Sequence, residues 1–327
     1  MKFGPVDPAK AEGTVLAHSV SLPQGRLRKG KMLTGDDVTM LAEAGIRSIT
    51  VATLGPDDLG EDEAAEQLAQ ALAGTGVRLS RAATGRTNLF ATGPGVVQLE
   101  RAAIDAVNAV NPMITVATVP QFHRSDADAM IATVKIISYA VARSDVEQAC
   151  KVAEGALSLL APRYATACLV ETTMGDAPPP TKGEEALRGR LERLGLTLAP
   201  RTLVPHRTAP LSAAIAGCDA EMVFVLTASA TSDVADVGPA ALIDAGGTLA
   251  QFGMPVDPGN LLFLGSLGDK PVIGLPGCAR SPALNGADWV LERVICGVPP
   301  TPADFARMGV GGLLKEIPTR PQPRAAI

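Results

Sequence analysis

Short apolar strands alternate with helices through the second half of the chain, and this alternation constrains the fold more than any other feature. It runs from Ala165 to about Gly297. Such a pattern is typical of a parallel sheet with helices on both faces. We therefore expect a mostly parallel, three-layer α/β/α domain over residues 165–297. The predicted strands are 167–172, 196–204, 222–227 and 271–275, and the predicted helices are 183–194, 210–216, 239–245 and 282–295.

The first half shows a less regular pattern. Thr34 and Asp37 are placed to cap a helix over 35–44, which Gly45 would end. These features predict a smaller mixed α+β lobe over residues 1–160, and residues 298–327 are predicted to be a tail or linker. Further predicted strands are 13–20, 46–53, 113–119 and 130–141, further helices are 60–73, 99–110 and 146–160, and 84–95 is predicted to be a loop.

Charge and hydropathy exclude several classes of protein. The chain has 327 residues and a net charge of −5, and no basic run interleaved with aromatic residues occurs. Nucleic acid is therefore not expected as a partner. The first ten residues lack the apolar region of a signal peptide, and no run of eighteen apolar residues occurs. We expect a cytoplasmic protein with no membrane partner.

The cysteines and histidines give no metal-binding pattern. The five cysteines form no Cys-x-x-Cys pair, so neither a disulfide framework nor a zinc site is expected. His18, His123 and His206 lie far apart in the sequence and are interpreted as surface or loop residues.

Three predicted strands of the second half lead into loops that open helices. Helix N-termini present unpaired N–H groups to anions, and open parallel sheets bind ligands at the carboxyl ends of their strands. The loops cover residues 172–176, 227–236 and 274–282. Thr181 with Glu184 predicts a capping box after the first loop. In the third loop, Ser281 is the expected N-cap and Pro282 the first helical residue.

Each loop also has a purely structural interpretation. Asp176 could be an ordinary turn residue, and Asp236 could simply cap the following helix. Cys278 could be a buried, inert thiol, although a thiol pKa can fall beside a helix start. Arg280 could pair with a phosphate.

These loops resemble those of the MoaB/Mog-type molybdopterin-binding domain, which occurs in molybdopterin adenylyltransferases and molybdopterin molybdenumtransferases. Residues 227–236 resemble its Gly-Gly-containing loop, and Gly175-Asp176 resembles its Gly-Asp-Glu turn. Residues 252–259 resemble its segment ending in Pro-Gly, and residues 274–277 match the start of its Gly-Leu-Pro-Gly-Asn-Pro loop. Residues 29–51 resemble an element found upstream in the molybdenumtransferases. The matches follow the order of the family.

The resemblance implies molybdopterin, or its adenylylated form, as ligand, with molybdate as substrate. It implies that Asp236 and Asp176 bind Mg²⁺ and act in catalysis, since magnesium is held by one or two carboxylates and waters. The implied ligand-binding residues are Gly175, Thr227, Ser229, Thr231, Ser232, Gly274, Pro276, Gly277, Cys278, Arg280 and Ser281. We expect residues 165–297 to bind the pterin without the rest of the chain.

The sequence also departs from the family pattern. Ala228-Ser229 replaces Gly-Gly, and Cys278-Ala279 replaces Asn-Pro. The fold and the ligand class survive these changes, but full catalytic activity does not follow from them. The leading hypothesis is a molybdenumtransferase-like enzyme. The alternative is a non-catalytic carrier or scaffold that presents molybdopterin to another enzyme. An unrelated nucleotide-binding domain is a third possibility, but the GxGxxG and GxxxxGK[ST] motifs are missing.

The C-terminal segment suggests a partner. Residues 317–324 are rich in proline and charge, which predicts an extended linker. Proteins resembling this one are sometimes fused to a nucleotidyltransferase that converts molybdopterin to its cytosine dinucleotide. A molybdenum cofactor cytidylyltransferase-like protein or domain is therefore the expected partner, together with a recipient molybdoenzyme, and a homo-oligomer is expected.

Overall fold

The structure, a computed structural model, describes residues 1–175 and 177–314. The chain divides into two compact units. The first consists of Met1–Gly93 and Val97–Leu159, and the second consists of Pro94–Val96 and the chain from Leu160 on. Within the described residues, no helix is long and apolar enough to cross a membrane.

The elements up to Leu160 are as follows. They are β1 (Lys2–Val6), β2 (Val15–Leu16), β3 (Val20–Leu22), β4 (Gly25–Leu27), α1 (Gly35–Glu43), β5 (Ile49–Thr53), β6 (Asp58–Gly60), α2 (Glu61–Leu72), β7 (Val77–Leu79), β8 (Arg86–Ala91), β9 (Gly95–Leu99), α3 (Arg101–Val110), β10 (Ile114–Thr118), β11 (Arg124–Ser125), β12 (Met130–Ile136), β13 (Ala140–Ala142), α4 (Arg143–Ala153) and β14 (Leu157–Leu160).

The core of the first unit lies between helices and an antiparallel sheet. Strands pair in the order β10–β12–β8–β7, and α2, α3 and α4 contribute to the same apolar core. Leu68 and Leu72 lie four residues apart on α2, and both are fully buried. This spacing places them on one helix face, which packs against the strands. Nearer the N-terminus, α1 begins at the predicted cap Thr34, which forms a capping box with Asp37.

Two predictions for the first half are wrong. The predicted loop 84–95 contains β8, in which Thr87, Leu89 and Ala91 are fully buried. Thr84 and Gly85 form the turn before this strand, where Gly85 has a φ of +70°, whereas Thr87 lies within the strand and Gly93 follows it. The predicted helix 146–160 ends at Ala153. Gly155, with a φ of +63°, then reverses the chain into β14.

The elements of the second unit after Leu160 are as follows. They are β15 (Thr166–Thr173), α5 (Lys182–Glu192), β16 (Thr197–Leu198), β17 (Thr202–Pro205), α6 (Thr208–Ala216), β18 (Met222–Leu226), α7 (Val237–Asp244), β19 (Thr248–Phe252), β20 (Phe263–Leu267), β21 (Lys270–Leu275), α8 (Gly286–Ile295) and α9 (Pro302–Arg307).

A seven-stranded sheet forms the centre of the second unit. Its order is β16–β15–β18–β21–β20–β19, and β17 also pairs with β15. The pairs among β15, β16, β17, β18 and β21 are parallel, whereas β20 pairs antiparallel with both β21 and β19. The predicted α/β class with a mostly parallel sheet is confirmed. The antiparallel edge was not predicted.

Helices α6 and α5 lie on opposite faces of this sheet. Val223 and Val225 of β18 share an apolar cluster with Leu211 of α6. Leu226 points to the other face, where a Cβ added to Gly183 of α5 would come within 2.8 Å of its Cδ2 atom. Because side chains alternate along a strand, Leu169 and Glu171 of β15 face the opposite side from Cys168 and Val170, which belong to the α6 cluster.

Three local predictions in the second half are corrected. Helix α8 begins at Gly286, not Pro282, because Asn285 and Asp288 form a capping box there. Thr181 makes no capping bond; Glu184 instead bonds to Arg188 at 2.8 Å. The predicted strand 196–204 is broken into β16 and β17.

The predicted tail also differs from the structure. Residues 298–314 include α9, whose Phe305 is 1% exposed. This part of the chain therefore packs in the second unit and is not a linker. The extended segment predicted over 317–324 lies outside the described residues.

One disulfide is present, although the cysteine pattern led us to expect no disulfide framework. Cys168 of β15 and Cys218, just after α6, are joined by a disulfide. The two cysteines are 50 residues apart in the sequence, so no local motif predicted the bond. The packing of α6 on the sheet brings them together.

Candidate functional site

The three predicted loops meet at the carboxyl edge of the parallel strands. β15, β18 and β21 are neighbours and run in the same direction. The Oγ1 atom of Thr172 accepts a hydrogen bond from the Ala228 N–H at 2.7 Å, which joins the first loop to the second. Nη2 of Arg280 donates to the Thr227 carbonyl at 3.1 Å, which joins the third loop to the second. The ligand-binding edge expected from the sequence is thus a continuous hydrogen-bonded surface.

Internal hydrogen bonds shape the second loop. Thr227 and Thr231 are buried, and their hydroxyl oxygens lie 3.2 Å apart. The Thr227 hydroxyl also donates to the Ser229 carbonyl at 2.7 Å. Ser229 and Ser232 are exposed. Of the four predicted binding residues in this loop, the two threonines therefore support its backbone, and the two serines face solvent.

Asp236 bonds to the backbone through both carboxylate oxygens. Oδ1 accepts from the Val237 N–H at 2.7 Å, at the start of α7, and Oδ2 accepts from the Ser232 N–H at 3.1 Å. The purely structural interpretation of Asp236 as a cap thus describes its observed contacts. No group of three or more metal-ligating His, Cys, Asp or Glu side chains occurs among residues 1–175 and 177–314.

In the third loop, Gly274 and Pro276 are buried, Gly277 is exposed, and Ala279 is buried again. A Cβ at Gly274 would lie 1.9 Å from the Phe263 ring, so the strand requires glycine there for packing. A short 3₁₀ helix follows over Gly277–Arg280, and Ser281 ends it. Gly175 in the first loop is exposed. Asp176 lies outside the described residues.

A pocket of about 610 Å³ opens beside the third loop. Four of the predicted binding residues line it: Gly277, Cys278, Arg280 and Ser281. Lys182, the first residue of α5, adds a second cation to the lining, and Pro258 and Leu284 add apolar surface. The pocket therefore combines positive charge, glycine backbone and an apolar wall, which suits an anionic ligand with an organic part.

A buried arginine holds the pocket loop in place. Arg190 of α5 is 3% exposed, and its Nε atom donates to Asp288 at 2.6 Å. The other guanidinium nitrogens donate to the carbonyls of Ala279, Ser281 and Ala283. These bonds fix the backbone of residues 279–283, and α8 starts only at Gly286, after the capping box of Asn285 and Asp288.

A charged network that the sequence did not predict lies behind the pocket. Glu171 of β15 is fully buried, and Oε2 accepts from Nη1 of Arg201 at 2.8 Å. Its Oε1 atom accepts from Nη2 of Arg280 at 3.3 Å. The available signal was a single carboxylate near the end of an otherwise apolar strand, directly before a predicted ligand loop.

His206 also lies at this edge, at the end of β17. It is half-buried, and its Nδ1 atom is 2.9 Å from Oγ1 of Thr172. Interpretation as an isolated loop residue overlooked this contact, which depends on the parallel pairing of β17 with β15.

Comparison with known proteins gives limited similarity. Residues 5–53 match a family described as a domain of unknown function (DUF8806). No curated protein matches the sequence.

Among solved structures, a molybdopterin biosynthesis MoeA protein from Pyrococcus horikoshii shares 13% identity at a TM-score of 0.30, over 94% of this chain and 77% of that one. A molybdenum cofactor biosynthesis protein from Pyrococcus furiosus shares 12% identity at a TM-score of 0.23, over 85% of this chain and 59% of that one. The chain thus spans less than two thirds of the P. furiosus protein. The function of this chain has to be argued from its own residues.

Proposed function

We propose that this chain binds molybdopterin through its second unit and acts in molybdenum-cofactor biosynthesis. The observation that carries the proposal is the meeting of three loops, in the order of the molybdopterin-binding family, at one edge of a parallel sheet. Hydrogen bonds from Ala228 to Thr172 and from Arg280 to Thr227 join them. Ligands of open parallel sheets bind at this edge.

The chemistry of the pocket supports a phosphorylated pterin. Molybdopterin carries a terminal phosphate, and Lys182 and Arg280 offer cations to it. Pro258 and Leu284 offer apolar contacts to the organic part of the ligand. A pocket of about 610 Å³ lies within the usual size range for a ligand of this kind.

The carrier alternative is favoured by one observation. Both oxygens of Asp236 accept backbone N–H groups, as a helix cap does, and the described residues 1–175 and 177–314 hold no group of three or more His, Cys, Asp or Glu around it. The magnesium site stays a prediction that depends on Asp176, outside the described residues, and we derive no step through the ion. An enzyme would insert molybdenum into bound molybdopterin, whereas a carrier would only present molybdopterin.

The predicted partners belong to the same proposal. A carrier would hand molybdopterin to a cytidylyltransferase-like protein or domain, or to a recipient molybdoenzyme. The cytoplasmic location and the homo-oligomer remain predictions.

Mass spectrometry of the pterin that co-purifies with the full chain tests the binding proposal. We expect molybdopterin or its adenylylated form with the wild type and with Arg193→Met, which removes an exposed cation away from the pocket. Lys182→Met should lower the occupancy several-fold. Folded wild-type protein with no pterin, and no affinity for added molybdopterin, would refute the proposal.

Molybdate insertion into bound molybdopterin separates the two roles. If the chain is an enzyme, molybdate insertion should be faster with the protein than with free molybdopterin. Asp236→Asn should then abolish this increase, while its affinity for the pterin stays within a few-fold of that of the wild type. A carrier leaves the rate unchanged, with or without the substitution.

A further inference from the structure

Glu171 is a fully buried carboxylate between two arginines. Arg201 reaches one of its oxygens at 2.8 Å and Arg280 the other at 3.3 Å. A buried carboxylate is stable only when charged or polar groups compensate it. The three side chains form a network behind the pocket, although both arginines are distant from Glu171 in the sequence.

Arg280 is held by one end of its guanidinium. Its Nη2 atom donates to Glu171 and to the Thr227 carbonyl. Its side chain passes close to α5, because a Cβ at Gly183 would lie 3.3 Å from Cγ of Arg280. Its Nη1 atom lies beside Gly277, where an added Cβ would be 3.8 Å away. Gly277 lines the pocket, so the second end of the guanidinium is at the pocket wall.

Arg201 is a second positive partner of Glu171, so Arg280 is not the only cation that compensates this carboxylate. Arg201 is itself fixed, because its guanidinium also donates to the carbonyls of Pro179 and Pro180. Glu171 is thus paired with both arginines, Arg201 also lies 3.4 Å from Glu184, and Arg280 and Lys182 are the cations that line the pocket. A phosphate monoester carries nearly two negative charges at neutral pH and accepts paired hydrogen bonds from arginine.

We propose that Arg280 contacts the phosphate monoester of the ligand and that Glu171 and Arg201 are its positioning residues. The inference deepens the proposed function and rests on it for the identity of the whole ligand. Fixing one end of a long side chain before binding lowers the entropy lost when the other end meets the anion.

Calorimetric titration of the full chain with phenyl phosphate tests the contact. Arg280→Met should weaken binding about tenfold or more, as expected for loss of a charged hydrogen-bond donor. Arg280→Lys keeps a cation near Glu171 but lacks the paired N–H donors of a guanidinium. It should reduce the affinity less than Arg280→Met does. Arg193→Met should bind as the wild type does. Inorganic phosphate should bind more weakly than the monoester, since it cannot use the apolar wall.

A double-mutant cycle tests the positioning role. The pair Glu171→Gln with Arg201→Met removes one charge of each sign. It should weaken phenyl phosphate binding about threefold to tenfold while Arg280 is present. In the Arg280→Met background the same pair should change affinity less than twofold. Residues that act only through general stability would have the same effect in both backgrounds.

The outcomes are distinct from those of the pterin experiment. Unchanged affinity in Arg280→Met overturns the inference, as does an equal effect of the pair in both backgrounds. If the paired variant fails to fold, Arg280→Met and Arg280→Lys still decide whether Arg280 contacts the anion. Phenyl phosphate binding with the expected pattern, in a protein without affinity for molybdopterin, would support the phosphate site and refute the pterin proposal.

Discussion

Asp236 can be tested as a cap independently of any role towards a ligand. Its carboxylate accepts from Val237 at the start of α7 and from Ser232 within the loop. Asparagine caps helices about as well as aspartate, whereas alanine cannot. We therefore expect Asp236→Ala to lower the free energy of unfolding by about 1 kcal/mol, measured by urea denaturation.

Asp236→Asn is the matched control, with an expected change of less than about 0.5 kcal/mol. An equal loss of stability in both variants would show that the negative charge, and not the hydrogen bond, supports the loop.

Asp37 should make part of the stability of the first unit dependent on pH. Burial raises its pKa, but bonds from Lys31 and Thr34 outweigh this and hold the pKa below its ordinary value of 3.8. A lowered carboxyl pKa stabilises the fold above pH 3.8, and this contribution is lost as pH falls through the folded-state pKa. Asp37→Asn should therefore destabilise the protein by about 1 kcal/mol at pH 7 and less near pH 3.

Urea denaturation at the two pH values measures this difference. Asp36→Asn, an exposed neighbour in the same helical turn, should show a much smaller change between them. A destabilisation by Asp37→Asn that stays constant with pH would contradict the assigned role.

At the scale of residues, contacts within one turn of a helix could be predicted from the sequence, and distant contacts could not. Thr34 and Asp37 of the capping box are three positions apart. Glu171, by contrast, meets Arg201 and Arg280 across 30 and 109 positions, so no local pattern encodes the network. The loops that could hold a ligand were found because they follow strands, but the groups that orient Arg280 were not.

At the scale of elements, buried parallel strands and amphipathic helices were predictable, whereas their interruptions were not. β18 is apolar throughout and packs between β15 and β21, so its composition reflects its central place. Residues 282–285 were predicted as helix because Ser281 favours the N-cap and Pro282 the first helical position. The helix starts instead at the capping box of Asn285 and Asp288, and Arg190, more than ninety positions away from Ser281, fixes the segment before it.

Loss of Arg190 should therefore loosen the pocket loop and destabilise the second unit. Arg190→Met leaves Asp288, which is 3% exposed, without its ionic partner. Removing one partner of a buried ion pair lowers the free energy of unfolding by about 3–5 kcal/mol. We expect a loss of this size in urea denaturation, together with faster amide exchange in residues 279–285.

Two further variants control for this effect. Arg193→Met, on the same helix but exposed, should change stability by less than about 0.5 kcal/mol. Asp288→Asn added to Arg190→Met should restore part of the loss, because it removes the unpaired charge. No recovery would indicate that the carbonyl contacts of Arg190 dominate.

At the scale of the whole molecule, the second unit continues beyond the boundary predicted at residue 297. Phe305 is buried, and Arg293 donates to Asp304 at 3.0 Å and to the Val298 carbonyl at 3.1 Å. A fragment of residues 160–314 should therefore be more stable than one of residues 160–297 by about 3–5 kcal/mol, since loss of a buried phenylalanine alone costs about that much.

Thermal and urea denaturation of both fragments measure the difference. Phe305→Ala in the full chain is the control and should lower the stability of the second unit by a similar amount. Equal stability of the two fragments would show that the predicted tail, including α9, contributes nothing to the fold.

The network of Glu171, Arg201 and Arg280 also makes the effects of substitutions at these positions depend on one another. Arg280 keeps 25% of its side chain exposed, whereas Glu171 is 1% exposed. Loss of both arginines would leave Glu171 as a buried charge with fewer positive partners, so the same two losses should cost less once Glu171 is replaced by glutamine.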